Sequence, residues 1–316
     1  VEIEHVMIPC AESPVPPRLA SPFDLDDASA YAEWRTRKLT EHARHPSELI
    51  VDVDDPGALT EAERQALLAR CARWNMAVYR AYRVRDDKVV MPILARQLGL
   101  QRLDGNWLSD EDGVSSITVN GTLGDVRGAF IPYTDRPIQW HTDGYYHPAN
   151  RRIRAMVLHC VQPAATGGVN ALLDHELAYI ALRDASPRCL RALMAPDAMT
   201  IPARTDELGM ARPAMAGPVF SVDDSDGALH MRYTARKRSI QWKADVATQK
   251  AVAFLERLLS EENPYVLRLR LDAGMGLVSN NVLHDRSGFS DDPAQPRLLY
   301  RARYLDRIVS SGASWR

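Results

Sequence analysis

The sequence predicts a mainly β protein: a double-sheet core of the jelly-roll type with helices packed outside it. Three observations carry that expectation. Residues Ile153 to Val161 form an apolar, β-prone run, and Leu267 to Leu271 alternates apolar and charged residues with a period of two. Helical patterns are confined to the stretches between the strand signals, as when helices fill insertions around a β core.

The elements follow in order. Pro14, Pro16, Pro17 and Pro22 interrupt the beginning of the chain, and a short helix is expected from about Asp27 to Leu39. Thr60, Glu61, Ala62 and Glu63 have the form of a capping box, with Thr60 as N-cap and Glu63 reaching back. Leu67, Cys71 and Trp74 then recur at helical spacing. Met76 to Tyr79 reads as a short buried strand. A second helix, from about Lys88 to Leu98, follows capping aspartates and stops at Gly99. Further helices are expected at Asp174 to Leu182, after Ser186 and Pro187, and at about Ala244 to Ser260. Leu299 to Leu305 is the last strand candidate. Residues 1–57 are read as an N-terminal extension and 58–316 as a single domain.

Bulk properties exclude several function classes. The chain has 316 residues, 46% of them hydrophobic, which is ample for a substantial core. Its 39 basic and 41 acidic residues leave a net charge of −2, so nothing electrostatic points to nucleic acid or an anionic membrane as partner. The four cysteines, Cys10, Cys71, Cys160 and Cys189, lack paired spacing, and no apolar run approaches the roughly 20 residues of a membrane helix. Without a signal-peptide pattern at residue 1, a cytoplasmic location is expected. A small-molecule substrate is the expected partner, and homo-oligomerisation is left open.

Two fragments narrow the chemistry. Gln139, Trp140, His141, Thr142 and Asp143 offer an imidazole and a carboxylate two residues apart. Asn281, Val282, Leu283, His284, Asp285 and Arg286 offer a second imidazole, followed by Arg297. Two histidines and one carboxylate on one face of a metal form the ligand set of non-haem Fe(II) oxygenases. On a strand, His141 and Asp143 share a face and Thr142 points away. Trp140 and Leu283 are expected to flank the ligands with apolar bulk. Spacing alone leaves two readings open, a metal site and three unrelated polar residues.

The stretch from Trp140 to Tyr146, then Leu158 to Val161, then Thr166, Gly167, Gly168, Val169 and Asn170, resembles the taurine dioxygenase / γ-butyrobetaine hydroxylase family (TauD/TfdA). Val282 to Arg286, followed by Arg297 to Asp306, is similar to that family's closing motif. The resemblance spans roughly residues 58–307. It implies a double-stranded β-helix, a cupin-like jelly roll, with Fe(II) held by His141, Asp143 and His284. It also implies 2-oxoglutarate and O2 as co-substrates, with Arg297 gripping the distal carboxylate of 2-oxoglutarate through its planar fork.

Members commonly place Ser or Thr two residues after the glycine pair to assist that binding. Here the position is Asn170, whose amide offers a comparable donor. Halogenating relatives replace the ligating carboxylate, so Asp143 favours oxygen transfer. Arg301 is a candidate either for an anionic substrate or for a structural ion pair. Tyr146 is a substrate candidate just after the ligand pair, and Asn120, Tyr145 and His147 are either substrate contacts or structural residues. His159 is read as a satisfied core histidine, and Arg236, Lys237 and Arg238 as a basic run that either attracts an anion or forms a solvated face. The expected reaction oxidises a C–H bond of a small polar metabolite and releases succinate and CO2. A zinc hydrolase using the same three ligands and a non-catalytic jelly-roll binding protein are the competing classes. Arg297 argues against the first and the intact ligand set against the second.

Overall fold

The computed structural model describes residues 21–105, 109–119, 130–206, 209–236, 238, 240–260 and 262–309. The chain opens with α1 (Ala28–Glu41), β1 (Ile50–Val53), α2 (Glu61–Trp74), β2 (Met76–Ala81) and α3 (Val90–Gln97). Strands β3 (Ser115–Ile117), β4 (Ile138–His141), β5 (Ala155–Gln162), β6 (Thr166–Gly167) and β7 (Asn170–Leu173) follow. After α4 (His175–Ala185) and α5 (Pro187–Leu193) come seven short strands. These are β8 (Met199–Ile201), β9 (Arg204–Asp206), β10 (Gly209–Arg212), β11 (Met215–Gly217), β12 (Phe220–Val222), β13 (Leu229–Met231) and β14 (Gln241–Trp242). Helix α6 (Val246–Ser260) returns the chain to β15 (Leu267–Leu269), β16 (Met275–Ser279), β17 (Leu283–Arg286), β18 (Phe289–Ser290) and β19 (Leu298–Tyr304).

Two sheets form the core. The larger has strand order β1-β2-β16-β5-β19-β3 and the smaller β15-β7-β17-β4. Alternation along β5 shows how they stack. Met156, Leu158 and Cys160 meet Leu172 and Leu267 of the smaller sheet, so these residues fill the space between the sheets. Ala155 and Val157 point the other way, onto Leu67, Cys71, Met91 and Leu94 of α2 and α3. The back of the smaller sheet (Ala171, Leu173, Leu283) packs against α4, α5 and α6. This is the expected jelly roll, a double-stranded β-helix with helices outside both sheets.

Local signals account for most element boundaries. Asp27 caps α1, accepting from Ala30 N at 2.9 Å. The capping box of α2 is present in both directions: Glu63 N donates to Thr60 Oγ1, and Thr60 N donates to Glu63 Oε2 at 2.7 Å. Ser186 caps α5, with Pro187 in its first turn. Helix α3 starts two residues later than expected, where Val90 N donates to Asp87 Oδ1. Residue 58, the expected start of the oxygenase domain, falls between β1 and α2. Upstream of it, β1 pairs in parallel with β2, and α1 is tied to α4 through the buried Lys38, which salt-bridges Asp174 and Glu176.

Candidate metal centre

Strands β17 and β4 are antiparallel neighbours, and their register places His284 directly opposite His141. The two imidazoles stand 4.2 Å apart, centre to centre. Directly paired residues of an antiparallel pair project from the same face, so this register alone brings the two distant histidines together.

Asp143 arrives differently from the sequence expectation. Strand β4 stops at His141, and Asp143 begins the turn that follows. Thr142 does point away, as expected. It is fully buried, its N donates to Tyr233 O at 3.0 Å, and its Oγ1 accepts from Tyr233 N at 3.1 Å. The aspartate is held in place by Asn281. Asn281 Oδ1 accepts from Asp143 N at 2.8 Å, and Asn281 Nδ2 donates to Asp143 O and to Ile153 O. Asn281 itself sits at φ 53°, a left-handed conformation that asparagine tolerates. Gly144 is required next: at φ +68° a Cβ would lie 2.4 Å from Ile153 Cγ1.

One ligating atom from each of His141, Asp143 and His284 lies within 4.8 Å of the others. Three donors bonded to one ion at about 2.1 Å stand roughly 3 Å apart on one face. Small side-chain rotations would therefore close this set on an ion. The donor chemistry fits. Each histidine has its Nδ1 2.9 Å from a carbonyl two residues back, Gln139 O for His141 and Val282 O for His284. That bond fixes the tautomer and turns Nε2 toward the shared space. Asp143 Oδ2 is buried without a hydrogen-bond partner, an expensive state unless a ligand completes it.

The electrostatics agree. Burial and the neighbouring His284 push the His141 imidazole down to about 3, so it is the neutral form that faces the site. Burial alone would raise the Asp143 carboxyl, but the Arg301 and Arg303 guanidiniums outweigh it and hold the group ionised.

Arg297 precedes β19 rather than continuing it, and the β19–β5 register slips between Leu298 and Leu299. Its guanidinium lies 4.9 Å from the Phe289 ring centre, and Nη1 is buried with no partner. Burial depresses its basicity, against a smaller opposite pull from Cys160 and Asp291. The glycine pair makes room here. A Cβ on Gly167, at φ +74°, would fall 2.3 Å from Gly288 O, and Gly168 packs beside Arg297 Nε. Asn170 opens β7 and is buried. It lies two residues before Leu172, the β7 partner of His284, so Asn170 and His284 share the inner face.

The remaining sequence candidates divide. Arg301 Nη1 lies 3.4 Å from Asp143 Oδ1, which puts it at the metal centre. The Tyr146 hydroxyl accepts from Arg303 Nη1 at 3.0 Å. Tyr145 lies beside Arg236, and His147 Nδ1 is 3.1 Å from Arg151 O. His159 is a satisfied core histidine, between the Tyr79 hydroxyl at 2.8 Å and Arg85 O at 2.7 Å. Asn120 and Lys237 lie outside the described residues. Trp140 and Leu283 do not flank the ligands, because each neighbours its histidine on a strand and so points into the helical side of the sheet.

Three supporting residues carry roles that the sequence did not reveal. Besides Asn281, Arg286 donates to the carbonyls of Pro132, Thr134 and Arg136 and so fixes the segment entering β4. Asp104 accepts from Arg303 Nη2 and Arg151 Nε, which steadies the arginine that holds Tyr146. An Asn-Asn pair ahead of a histidine strand was the only local sign of the Asn281 role.

Comparison with known proteins identifies the family and the fold. Residues 35–303 match the family model described as taurine catabolism dioxygenase TauD, TfdA family. A uridine-5'-phosphate dioxygenase of Streptomyces sp. is 33% identical over 203 residues, covering 62% of this chain and 70% of that protein. An asparagine oxygenase solved with Fe(II), 3-hydroxyasparagine and succinate superposes with a TM-score of 0.57 at 18% identity, over 79% of this chain and 81% of that one. The non-haem iron oxygenase OrfP, solved with Fe and α-ketoglutaric acid, gives 0.56 at 18% identity, over 78% and 80%. At such identities the likeness to the solved structures is one of fold, and it is the family match that covers most of the chain. The chain belongs to the TauD/TfdA family and is an Fe(II)- and 2-oxoglutarate-dependent oxygenase.

Proposed function

We propose that His141, Asp143 and His284 hold the Fe(II), that Arg297 assisted by Asn170 holds 2-oxoglutarate, and that the enzyme hydroxylates a C–H bond of a small polar metabolite met by Tyr146 and Arg301. The observation that carries this is the pattern of unfinished polar groups. Both Nδ1 atoms are occupied by backbone carbonyls, while Asp143 Oδ2 and Arg297 Nη1 are buried without partners in the same inter-sheet space. A divalent ion and a dicarboxylate are the ligands that would complete them.

Bound Fe(II) and 2-oxoglutarate supply, with O2, the oxidising power for C–H cleavage, releasing succinate and CO2. The protein's own share is positional. Asn281 fixes the backbone of Asp143, the two backbone-anchored imidazoles keep their tautomers, and Arg297 presents a fork that matches a carboxylate. Arg301, facing Asp143, holds that carboxylate ionised and would meet the substrate beside the reacting carbon. The relative named for uridine-5'-phosphate makes a phosphorylated nucleoside the first substrate to try. Among the described residues no helix is long and apolar enough to cross a membrane, and Cys71, Cys160 and Cys189 are free thiols. Both facts suit the cytoplasmic enzyme we infer.

The test is an anaerobic titration. Fe(II) and 2-oxoglutarate together should give a weak visible charge-transfer band, and admitting O2 with substrate should give succinate and a product heavier by one oxygen atom. Turnover supported by Zn(II) without 2-oxoglutarate would instead identify a hydrolase. Uridine-5'-phosphate and uridine head the substrate screen.

A further inference from the structure

Around the Tyr145–Tyr146 turn, just beyond Asp143, some guanidiniums are fully used and others are not. Arg232 is spent on backbone carbonyls: Tyr145 O at 2.7 Å, Met199 O, Gly217 O and Met215 O. Arg303 is matched by the Asp104 carboxylate and bonds the Tyr146 hydroxyl, although its Nε is buried without a partner. Arg212, which ends β10 of the β9–β10 hairpin, is different. Its guanidinium stands 5.6 Å from the Tyr146 ring centre, and Nη2 donates to Pro202 O at 2.9 Å. Its Nε–H is buried and has no partner.

Among the described side chains, the groups that act on the charge of Arg212 are Tyr145, Tyr146 and a second guanidinium, Arg204, with no carboxylate among them. Burial and Arg204 both disfavour the cation there, yet a guanidinium stays charged in proteins. A half-buried, unmatched cation beside two phenols and another cation is a costly arrangement that an incoming anion would relieve. A further donor points the same way: Arg236 Nη1 reaches the Tyr145 hydroxyl at 3.5 Å.

We propose that Arg212, with the Tyr145 hydroxyl and Arg236, receives a phosphate monoester carried by the substrate. This rests on the oxygenase reading above, which places the substrate at this turn. Phosphate is favoured over carboxylate by the number and spread of the donors. One guanidinium fork satisfies a carboxylate, whereas a phosphate monoester brings close to two charges and three acceptor oxygens and so matches donors from three separate side chains.

The experiment measures equilibrium binding of uridine-5'-phosphate, uridine, ribose 5-phosphate and inorganic phosphate by calorimetry. Each is titrated into the anaerobic Fe(II)–2-oxoglutarate form and into the metal-free chain. Wild type should bind uridine-5'-phosphate at least 10-fold more tightly than uridine. Arg212→Met should weaken uridine-5'-phosphate at least 10-fold while leaving uridine unchanged, and Arg212→Lys should recover part of the loss. Tight binding of ribose 5-phosphate with the same Arg212 dependence would support the subsite and identify its source as a sugar phosphate. Equal affinity of Arg212→Met and wild type for uridine-5'-phosphate would overturn the proposal. So would failure of both phosphorylated probes to bind more tightly than uridine. The charge-transfer band separates the two readings: its absence from wild type sinks the oxygenase site, while binding to the metal-free chain still judges the phosphate site.

Discussion

His141 and His284 stand on adjacent strands of a four-stranded sheet, and each ring is anchored to a carbonyl two residues back on its own strand. Arg204 and Arg212 stand on a two-stranded hairpin, β9–β10, with no further strand paired to it among the described residues. The first region uses short side chains on hydrogen-bonded backbone, so the pairing of His284 with His141 sets where the two imidazoles stand. The second uses long side chains on an isolated ribbon, whose reach adapts to what arrives. A metal ion demands a few fixed donor positions, whereas substrates differ in size and charge. The rigid end is therefore suited to oxygen activation and the ribbon end to selectivity.

The sharpest way to break this contrast is at the rigid end. His284→Ala should remove several kcal/mol of metal-dependent stabilisation, a loss of about 1000-fold or more in succinate formation. Iron content should fall in parallel. A variant that retained stoichiometric iron and near-normal turnover would show that the β17–β4 register does not set the site.

The next effect is on stability, at the junction of the two regions. Arg303 is 3% exposed and bridges Asp104, whose side chain is fully buried, to the Tyr146 hydroxyl. Arg303→Met leaves Asp104 with Arg151 alone and should cost about 3 kcal/mol in denaturant unfolding. A loss below about 1 kcal/mol would mean that Arg151 suffices and that Tyr146 is held by packing.

Arg297→Gln comes third. It should raise the KM for 2-oxoglutarate roughly 30-fold, the scale of one lost charge-assisted hydrogen-bond pair, and should leave the affinity for uridine-5'-phosphate unchanged. Equal losses for both ligands would join the two regions into one.

These residues also mark what could be read without coordinates. The capping box at Thr60, the Pro187 start of α5 and the His141/Asp143 pair are local patterns, with all their partners within a few residues. Asn170 became readable only through the family resemblance, whereas Arg297, downstream of the second histidine, already offered a fork for a carboxylate. Asn281, Arg286 and Asp104 act across long separations: Asn281 bonds Asp143, Arg286 bonds the 132–136 carbonyls, and Asp104 bonds Arg303. No spacing rule encodes those pairings, because the folded sheets create them. Trp140 and Leu283 show the opposite error. Their proximity in sequence to the ligands suggested a flanking role, yet strand alternation turns both to the other face.

The smallest effect tests whether the rear of the molecule is independent of both regions. Thr60 caps α2, which packs through Leu67 and Cys71 on the face of the larger sheet turned away from the site. Thr60→Ala removes the acceptor for Glu63 N and one of the three groups held by the Glu63 carboxylate, which still accepts from Asp54 N and from the backbone N of residue 60. The expected cost is about 1 kcal/mol of stability, visible as a modest drop in Tm. Because the α2 cap lies behind the larger sheet, on the face that Leu67 and Cys71 cover, the KM for 2-oxoglutarate and the affinity for uridine-5'-phosphate should both stay at wild-type values. A change in either would mean that strain at the α2 cap reaches the inter-sheet space through β2 and β16. The rigid end would then owe its geometry to the helical layer as well as to sheet register.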